Sequence, residues 1–382
     1  MLNLPLPKGQ ALTPPLTVLR RPMAPPTGPV HAIVFSRPDQ ALHEIYPLLL
    51  DAAAAGAGDI VGLLKDWIGA DGSFRRALIL DPDGLDPLQA DFTGPCRMAS
   101  AAFVHLDPAR EDADHRELEG RCGVPCVNPY LGAQRVGDKA ALAAVWRTKG
   151  LATPECTALG AGFTGNPEAF LRDLEALGGR EIILKPVRGT EGRRAVRRSW
   201  QDSRQRAALA DWCREESRQE AMLLCRARDR VRWKGLPIAL RMNVSWNMKQ
   251  AKAESGYVQV GHDSLAVASR SQGGSIHGLD EVWGDLSIGA GPWAELVHTA
   301  ESGTRAIAAW LGEDTPALLG MDLLLDVETD TVRPFLLEAN ARPAGMAHCR
   351  ALDAREPGAE ARVSAGLWQR VAALRPREPA HA

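Results

Sequence analysis

Glu338 and Asn340 close an apolar run, Pro334 to Leu337, and stand two residues apart. In a β-strand that spacing puts both side chains on one face. A carboxylate and an amide oxygen converging there suit a hard cation such as Mg2+, which takes oxygen ligands. An earlier apolar run, Met321 to Leu325, is interrupted by Asp322, and the polar stretch Glu328-Thr329-Asp330 separates the two runs. Two apolar runs around a turn cluster predict a β-hairpin. Asp322, on the paired strand, then offers a further oxygen. The same residues also describe a hairpin with a solvated polar end, and Glu-x-Asn is too short to decide between the two readings alone.

Two further stretches bear on that choice. Glu181-Ile-Ile-Leu-Lys-Pro-Val-Arg-Gly-Thr-Glu-Gly192 reads as a strand ending at Lys185, then a loop with Gly189 and Gly192. A lysine on a strand is a fixed point charge for a phosphate, and glycines let backbone N–H groups approach phosphate oxygens closely. An exposed lysine at a strand end is the plainer reading. Upstream, Asn128-Pro129 to Asp138-Lys139 precedes a helical stretch, followed by Gly150-Leu-Ala-Thr-Pro154.

In this order the pieces resemble the ATP-grasp superfamily: a lysine before a helix, a short loop ending in Thr-Pro, a strand with Lys-Pro, a glycine-rich lid, and a closing Asp…Glu-x-Asn. The resemblance runs from about Val127 to about Ala347, and it rests on order and spacing rather than on any one piece. It implies an α/β protein with an ATP-grasp fold: two α+β subdomains clamping ATP, behind an N-terminal Rossmann-like domain. It implies ATP and Mg2+ as cofactors, with Mn2+ as an alternative metal. Lys139 and Lys185 map to the phosphates, Gly189, Thr190 and Gly192 to the lid, and Asp322, Glu338 and Asn340 to metal. The γ-phosphoryl group would pass to a carboxylate, and a nucleophile, most often an amine, would attack the acyl phosphate.

Glu-Ala-Asn-Ala-Arg-Pro-Ala-Gly, residues 338 to 345, looks most like the amino-acid and dipeptide ligase branch. There an arginine after the metal asparagine meets the substrate carboxylate or the tetrahedral intermediate. Arg342 holds that place, and a guanidinium fork suits a bidentate carboxylate. Arg241, on a predicted strand from Ile238 to Val244, is the second candidate. A surface arginine is the alternative for Arg342. The strand-like Ala221 to Cys225 corresponds to the adenine-contacting strand, with Asp229 as a loose match for a ribose acid. Two features depart from the family: the lid, Arg188 to Ala195, carries more arginine than glycine, and the hairpin from Asp322 to Glu338 is long. They leave lid closure and the register of Asp322 open. An ATP-dependent carboxylate–amine ligase for small, amino-acid-like substrates is the expected function. Other acceptors, such as a thiol, or a carboxylase or kinase relative, remain alternatives, although no biotin-type lysine motif favours carboxylation. A catalytically silent nucleotide-binding scaffold is the alternative from another class.

The elements must position these residues within 382 residues, a length that predicts two or three domains. A Pro-rich arm is expected over 1–29, an α/β domain over 30–128, an ATP-grasp subdomain over 129–235, a metal and substrate subdomain over 236–350, and a C-terminal helix and tail over 351–382. In the first domain Val30–Phe35, Arg76–Leu80 and Ala101–His105 read as strands, with Pro125–Val127 as a short last one. Gln40–Ala55 and Ile60–Trp67 carry helical spacing. That alternation predicts a small parallel sheet, and the lack of GxGxxG gives no support for a dinucleotide site. Later, Asp138 and Asn166 are predicted helix caps. Ser271–Ser275 reads either as a hairpin turn or as part of an acceptor pocket.

Net charge is -2, so no whole-chain field favours nucleic acid or an acidic membrane. Arginines cluster between Arg188 and Arg232, as a solvated helix face or as a rim around a polyphosphate site. Seven scattered cysteines without a CxxC pair point to reduced thiols in the cytoplasm. No signal peptide and no membrane-length apolar run is evident. The expected partners are small-molecule substrates, and a homodimer is compatible with the reading.

Overall fold

The computed structural model describes residues 18–38, 41–83, 86–104, 106, 110–189, 192–228, 231–261, 273–286, 290–328, 331–343, 345–346 and 364–373. They form three sheets. The first has five strands in the order β1-β5-β2-β3-β4: β1 (Leu19–Met23), β2 (Val30–Phe35), β3 (Asp59–Leu64), β4 (Ser73–Leu80) and β5 (Pro87–Phe103). Helix α1 (Tyr46–Ala55) follows a π-turn at Ala41–Ile45, and α2 (Glu111–Cys122) follows β5.

Several expectations for this region need correction. The sheet is mixed: β1, β5, β2 and β3 run parallel, but β4 is antiparallel to both β3 and β5. Residues 19–23 of the Pro-rich arm form strand β1, which pairs with β5 at the edge of the sheet and has exposed or half-buried side chains. Ile60–Trp67 is not a helix but β3 and a 3-10 turn at Lys65–Trp67. Its apolar run is buried from Val61 to Leu64 because the strand lies inside the sheet, where periodicity alone does not separate strand from buried helix. Gly62 permits that packing, since a Cβ there would meet Ile45 Cγ2 at 2.6 Å. Pro125–Val127 contributes only one bridge, Ala101 with Cys126, and Ala101 itself belongs to the 17-residue β5.

The second sheet has four antiparallel strands in the order β6-β9-β7-β8: β6 (Cys156–Leu159), β7 (Glu181–Pro186), β8 (Val196–Ser199) and β9 (Met222–Arg226). Helices α5 (Pro167–Ala176) and α6 (Ser203–Gln219) pack on it around Leu171, Leu174, Leu209 and Cys213. Before it come α3 (Tyr130–Val136) and α4 (Lys139–Thr148). The caps are as expected: Asp138 accepts from Ala141 N–H, and Asn166 from Glu168 and Ala169 N–H.

The third sheet is antiparallel, in the order β13-β12-β11-β14-β15, with β10 beside β11. Its strands are β10 (Arg232–Trp233), β11 (Leu236–Trp246), β12 (Ala251–Val260), β13 (Ser275–His277), β14 (Leu318–Glu328) and β15 (Thr331–Asn340). Helices α7 (Leu279–Leu286) and α8 (Ala290–Leu311) cover it, and α4 joins the same core through Leu142 and Trp146. The fully buried Trp146 donates Nε1–H to the Gly303 carbonyl of α8 at 3.1 Å. This ties the helix that begins at Lys139 to the third sheet.

Buried polar links join the first-sheet region to the segment that follows β15. Buried Asn128 accepts from Phe103 N–H at 2.8 Å and donates to the Ala341 carbonyl at 3.2 Å. Buried Glu44 accepts from Gly345 and Met346 N–H at 2.7 and 3.0 Å. The last helix, α9 (Ala365–Ala373), packs Leu367, Trp368 and Val371 into the core that also holds Leu48 and Leu49. Among the described residues no helix is long and apolar enough to cross a membrane.

Candidate active site

The predicted hairpin is β14–β15, and its register resolves the question about Asp322. Asp322 lies directly opposite Glu338, and Gly320 opposite Asn340, with a bulge just after Asp322. On its other side Asp322 lies opposite Arg241 of β11. Arg241, Asp322 and Glu338 therefore form one row across three strands, with Asn340 two residues along on the same face. Arg241 grips both Asp322 oxygens, with Nη2 to Oδ2 at 2.9 Å and Nε to Oδ1. Gly320 makes room for the fork: a Cβ there would stand 3.0 Å from Arg241 Nη1. Asn340 donates Nδ2–H to Asp322 Oδ2 at 3.2 Å, which leaves its amide oxygen for other use.

Both lysines reach this row from other elements. Lys185 stands one residue before the end of β7, and its Nζ is 3.6 Å from Glu338 Oε2. Lys139 opens α4, held there by its own N–H on the Val187 carbonyl at 3.1 Å. Its Nζ is 3.9 Å from Glu338 Oε2 and also donates to the Gly189 carbonyl. The two lysine side chains are 11% and 15% exposed and that of Glu338 is 25% exposed, so these charges are only thinly hydrated.

That environment shifts their titration. Burial opposes the charge on Glu338, but Lys139, Lys185 and Arg241 outweigh it and hold the carboxylate ionised well below its usual range. Burial pushes Asp322 up, and the neighbouring Glu338 charge adds to this against the pull of Arg241. Burial lowers Lys139. For Lys185 burial acts the same way, yet Glu338 and then Cys225 and Cys156 raise it.

These residues line one cavity of about 290 Å3. Lys139, Lys185, Gly189, Gly192, Arg241, Asp322, Glu338, Asn340 and Arg342 all contribute to its wall, as does Pro154 of the Thr-Pro loop. That loop is hydrogen-bonded to β15, with Thr153 Oγ1–H on the Leu336 carbonyl at 2.9 Å. Thr190 and Asp229 lie outside the described residues, as do Ser271 and Gln272. The arginine cluster divides: Arg188, Arg193, Arg226 and Arg228 line the cavity, whereas Arg194, Arg206, Arg214 and Arg218 pair with acids on α5 and α6.

Arg342 has partners that sequence reasoning missed. Its Nε donates to His115 Nδ1 and its Nη2 to Asp112 Oδ1, both at 2.9 Å, while Nη1 lies 3.4 Å from Glu111 Oε1. Glu111 and Asp112 also line the cavity. Their only sequence signal was the charged stretch Asp107–Glu119. Nothing local pointed that stretch at a residue more than 200 positions away.

His115 is fully buried and accepts from Arg342, which requires an unprotonated Nδ1. Burial, then the Arg342 charge, pull its pKa down to about 3. In the unfolded chain a histidine takes its proton near pH 6.5, whereas in the folded chain His115 does not, so acid favours unfolding. This contribution is complete above about pH 6.5 and is lost as pH falls towards 3, by at most roughly 1.4 kcal/mol per pH unit. Denaturant midpoints from pH 7 to pH 4 should therefore fall less steeply in His115→Asn than in the wild type. Parallel curves would contradict the assignment of that loss to His115.

No protein-family model matches the chain, and no curated protein matches it. Solved structures do. The D-cycloserine synthetase DcsG superposes with a TM-score of 0.54 at 16% identity, over 90% of this chain and 99% of its own. D-alanyl-alanine synthetase A from Vibrio cholerae gives 0.53 at 11% identity, over 90% and 98%. The chain has the ATP-grasp fold. The ATP-grasp ligase PsnB, complexed with a minimal precursor, adds a TM-score of 0.51 at 17% identity, again over 90% and 98%. The second sheet, through Lys185, Leu223 and Cys225, and the third, through Arg241, Asp322 and Glu338, both line the cavity.

Proposed function

We propose that the protein is an ATP-dependent carboxylate–amine ligase for small, amino-acid-like substrates, acting through an acyl phosphate. The observation that carries this reading is the meeting of Lys139, Lys185, Asp322, Glu338, Asn340 and Arg342 on one cavity of an ATP-grasp fold. The names of three similar structures support it. They are a D-cycloserine synthetase, a D-alanyl-alanine synthetase and a ligase bound to a precursor.

The donor set suits Mg2+ in kind. It offers two carboxylates and an amide oxygen, all hard oxygens, and Mg2+ keeps several positions for water and phosphate. Asp322, Glu338 and Asn340 would hold the ion, and Arg241 fixes Asp322 in place for it. When bound, the ion offsets charge on the nucleotide's phosphate oxygens.

The chain's own residues do the rest. Lys139 and Lys185 place fixed cations beside the transferring phosphoryl group, in a thinly hydrated site where charge counts for more than in water. The backbone around Gly189 and Gly192 closes over the phosphates and excludes water, which protects an acyl phosphate from hydrolysis. Arg342, already forked onto acceptors at the cavity wall, holds the acyl substrate's carboxylate or the oxyanion of the tetrahedral intermediate.

Arg342→Lys tests that last role. An ammonium cannot reproduce the fork, so kcat/KM should fall by roughly 10- to 100-fold, the range for losing a charge-assisted hydrogen bond. The loss falls mainly on turnover if the contact tightens in the transition state, and mainly on KM if it is uniform binding. ATP affinity should barely change. A variant that binds ATP weakly but carboxylate normally would put Arg342 in the phosphate site instead.

A further inference from the structure

We propose that Cys156 and Cys225 form a redox-modification site in the cavity wall, oxidised by hydrogen peroxide to a cross-strand disulfide. The site goes beyond ligation and does not depend on it.

Register carries the inference. Cys156 of β6 lies directly opposite Cys225 of β9 in an antiparallel pair. At the next position Arg226 N–H donates to the Glu155 carbonyl at 2.9 Å. Hydrogen-bonded and non-hydrogen-bonded pairs alternate along such a ladder, so the two cysteines occupy a non-hydrogen-bonded pair. There Cα atoms stand about 4.5 Å apart and the side chains are closest. Disulfides span Cα separations of about 4.4–6.8 Å, so closure asks for little strand movement. Both residues line the cavity, which gives a small oxidant a route to them.

The two thiols also differ in a useful way. Arg147 Nη1 donates to Cys156 Sγ at 2.9 Å. The hydrogen bond from Cys225 and, against burial, the Arg147 guanidinium bring the Cys156 thiol down to about 6. The same hydrogen bond and burial hold Cys225 well above its ordinary value. A thiolate therefore faces a protonated thiol, the arrangement of an attacking and a resolving cysteine.

Cys156 thiolate attacks one peroxide oxygen, the O–O bond breaks, and the departing hydroxide takes a proton to become water. Cys156 is then a sulfenic acid. Cys225 sulfur attacks it, the S–S bond forms, the S–O bond breaks, and hydroxide leaves with the Cys225 proton as a second water. The thiols lose two electrons to the peroxide. The thiolate charge, which supports the Lys185 ammonium, is lost with them.

The test is hydrogen peroxide titration of the full chain, followed by alkylation and peptide mapping by mass spectrometry. A linked Cys156–Cys225 peptide is expected first, reversed by dithiothreitol and absent in Cys156→Ser. Cys122 and Cys213, whose thiols burial pushes up to about 11 and about 12, should still be reduced at that point. Arg147→Gln should slow the link without changing its partners. Sulfinic acid at Cys156 with Cys225 still reduced, or oxidation of all cysteines at one rate, overturns the proposal. Adding MgATP separates the two readings: a link that forms but is not slowed by MgATP sustains the dithiol site and counts against a nucleotide in the cavity.

Discussion

Glu338→Gln should leave a folded protein with turnover reduced by roughly 10²–10³-fold or more, the loss expected when a preorganised charge is removed from a site that excludes water. The substitution keeps shape and removes one charge. That charge faces three cations, Lys139 and Lys185 within 4 Å and Arg241 through Asp322. It is also one of the two carboxylates in the proposed metal set. Two consequences should follow together. The Mg2+ concentration for half-maximal activity should rise, because a neutral amide is the weaker ligand for a hard cation. The lysines, losing their counter-ion, should also titrate lower, since burial already disfavours their charge. Near-normal turnover at limiting Mg2+ would remove Glu338 from the metal set. Circular dichroism and a thermal melt show whether the variant is folded.

Lys185→Met should weaken ATP binding by roughly 10- to 100-fold, the range for losing one charge-assisted hydrogen bond. Methionine keeps the apolar stem on β7 and deletes the ammonium, so packing around Leu223, its cross-strand partner, is preserved. Calorimetric titration with ATP gives the answer directly. Unchanged affinity would mean that Lys185 serves Glu338 alone. Because Glu338 would then lose half of its lysine support, the variant should also need less acid to protonate that carboxylate.

The hairpin that carries Asp322, Glu338 and Asn340 was legible because each of its signals is local: two apolar runs, a turn cluster, and a period of two. The caps Asp138 and Asn166 were legible for the same reason. The parts that were not legible depend on contacts distant in sequence. Glu111, Asp112 and His115 sit on a helix without apolar periodicity, and only the tertiary fold turns that helix to Arg342. Arg241 could be placed on a strand from sequence, but its grip on Asp322 comes from the pairing of β11 with β14, 81 residues apart. Ile60–Trp67 reads as a helix but is a strand, because an apolar run buried inside a sheet repeats at helical spacing by coincidence. The cysteine pair escaped notice because 69 residues of sequence separate two positions that β6 and β9 set face to face.

The most direct measurement is ADP release by the full chain with MgATP and pairs of amino acids, with the products identified by mass spectrometry. The account predicts that ADP and phosphate form only when a carboxylate and an amine substrate are both present, and that one amide product accompanies each ADP. AMP and pyrophosphate as products would contradict it, as would ADP release at the same rate without either substrate.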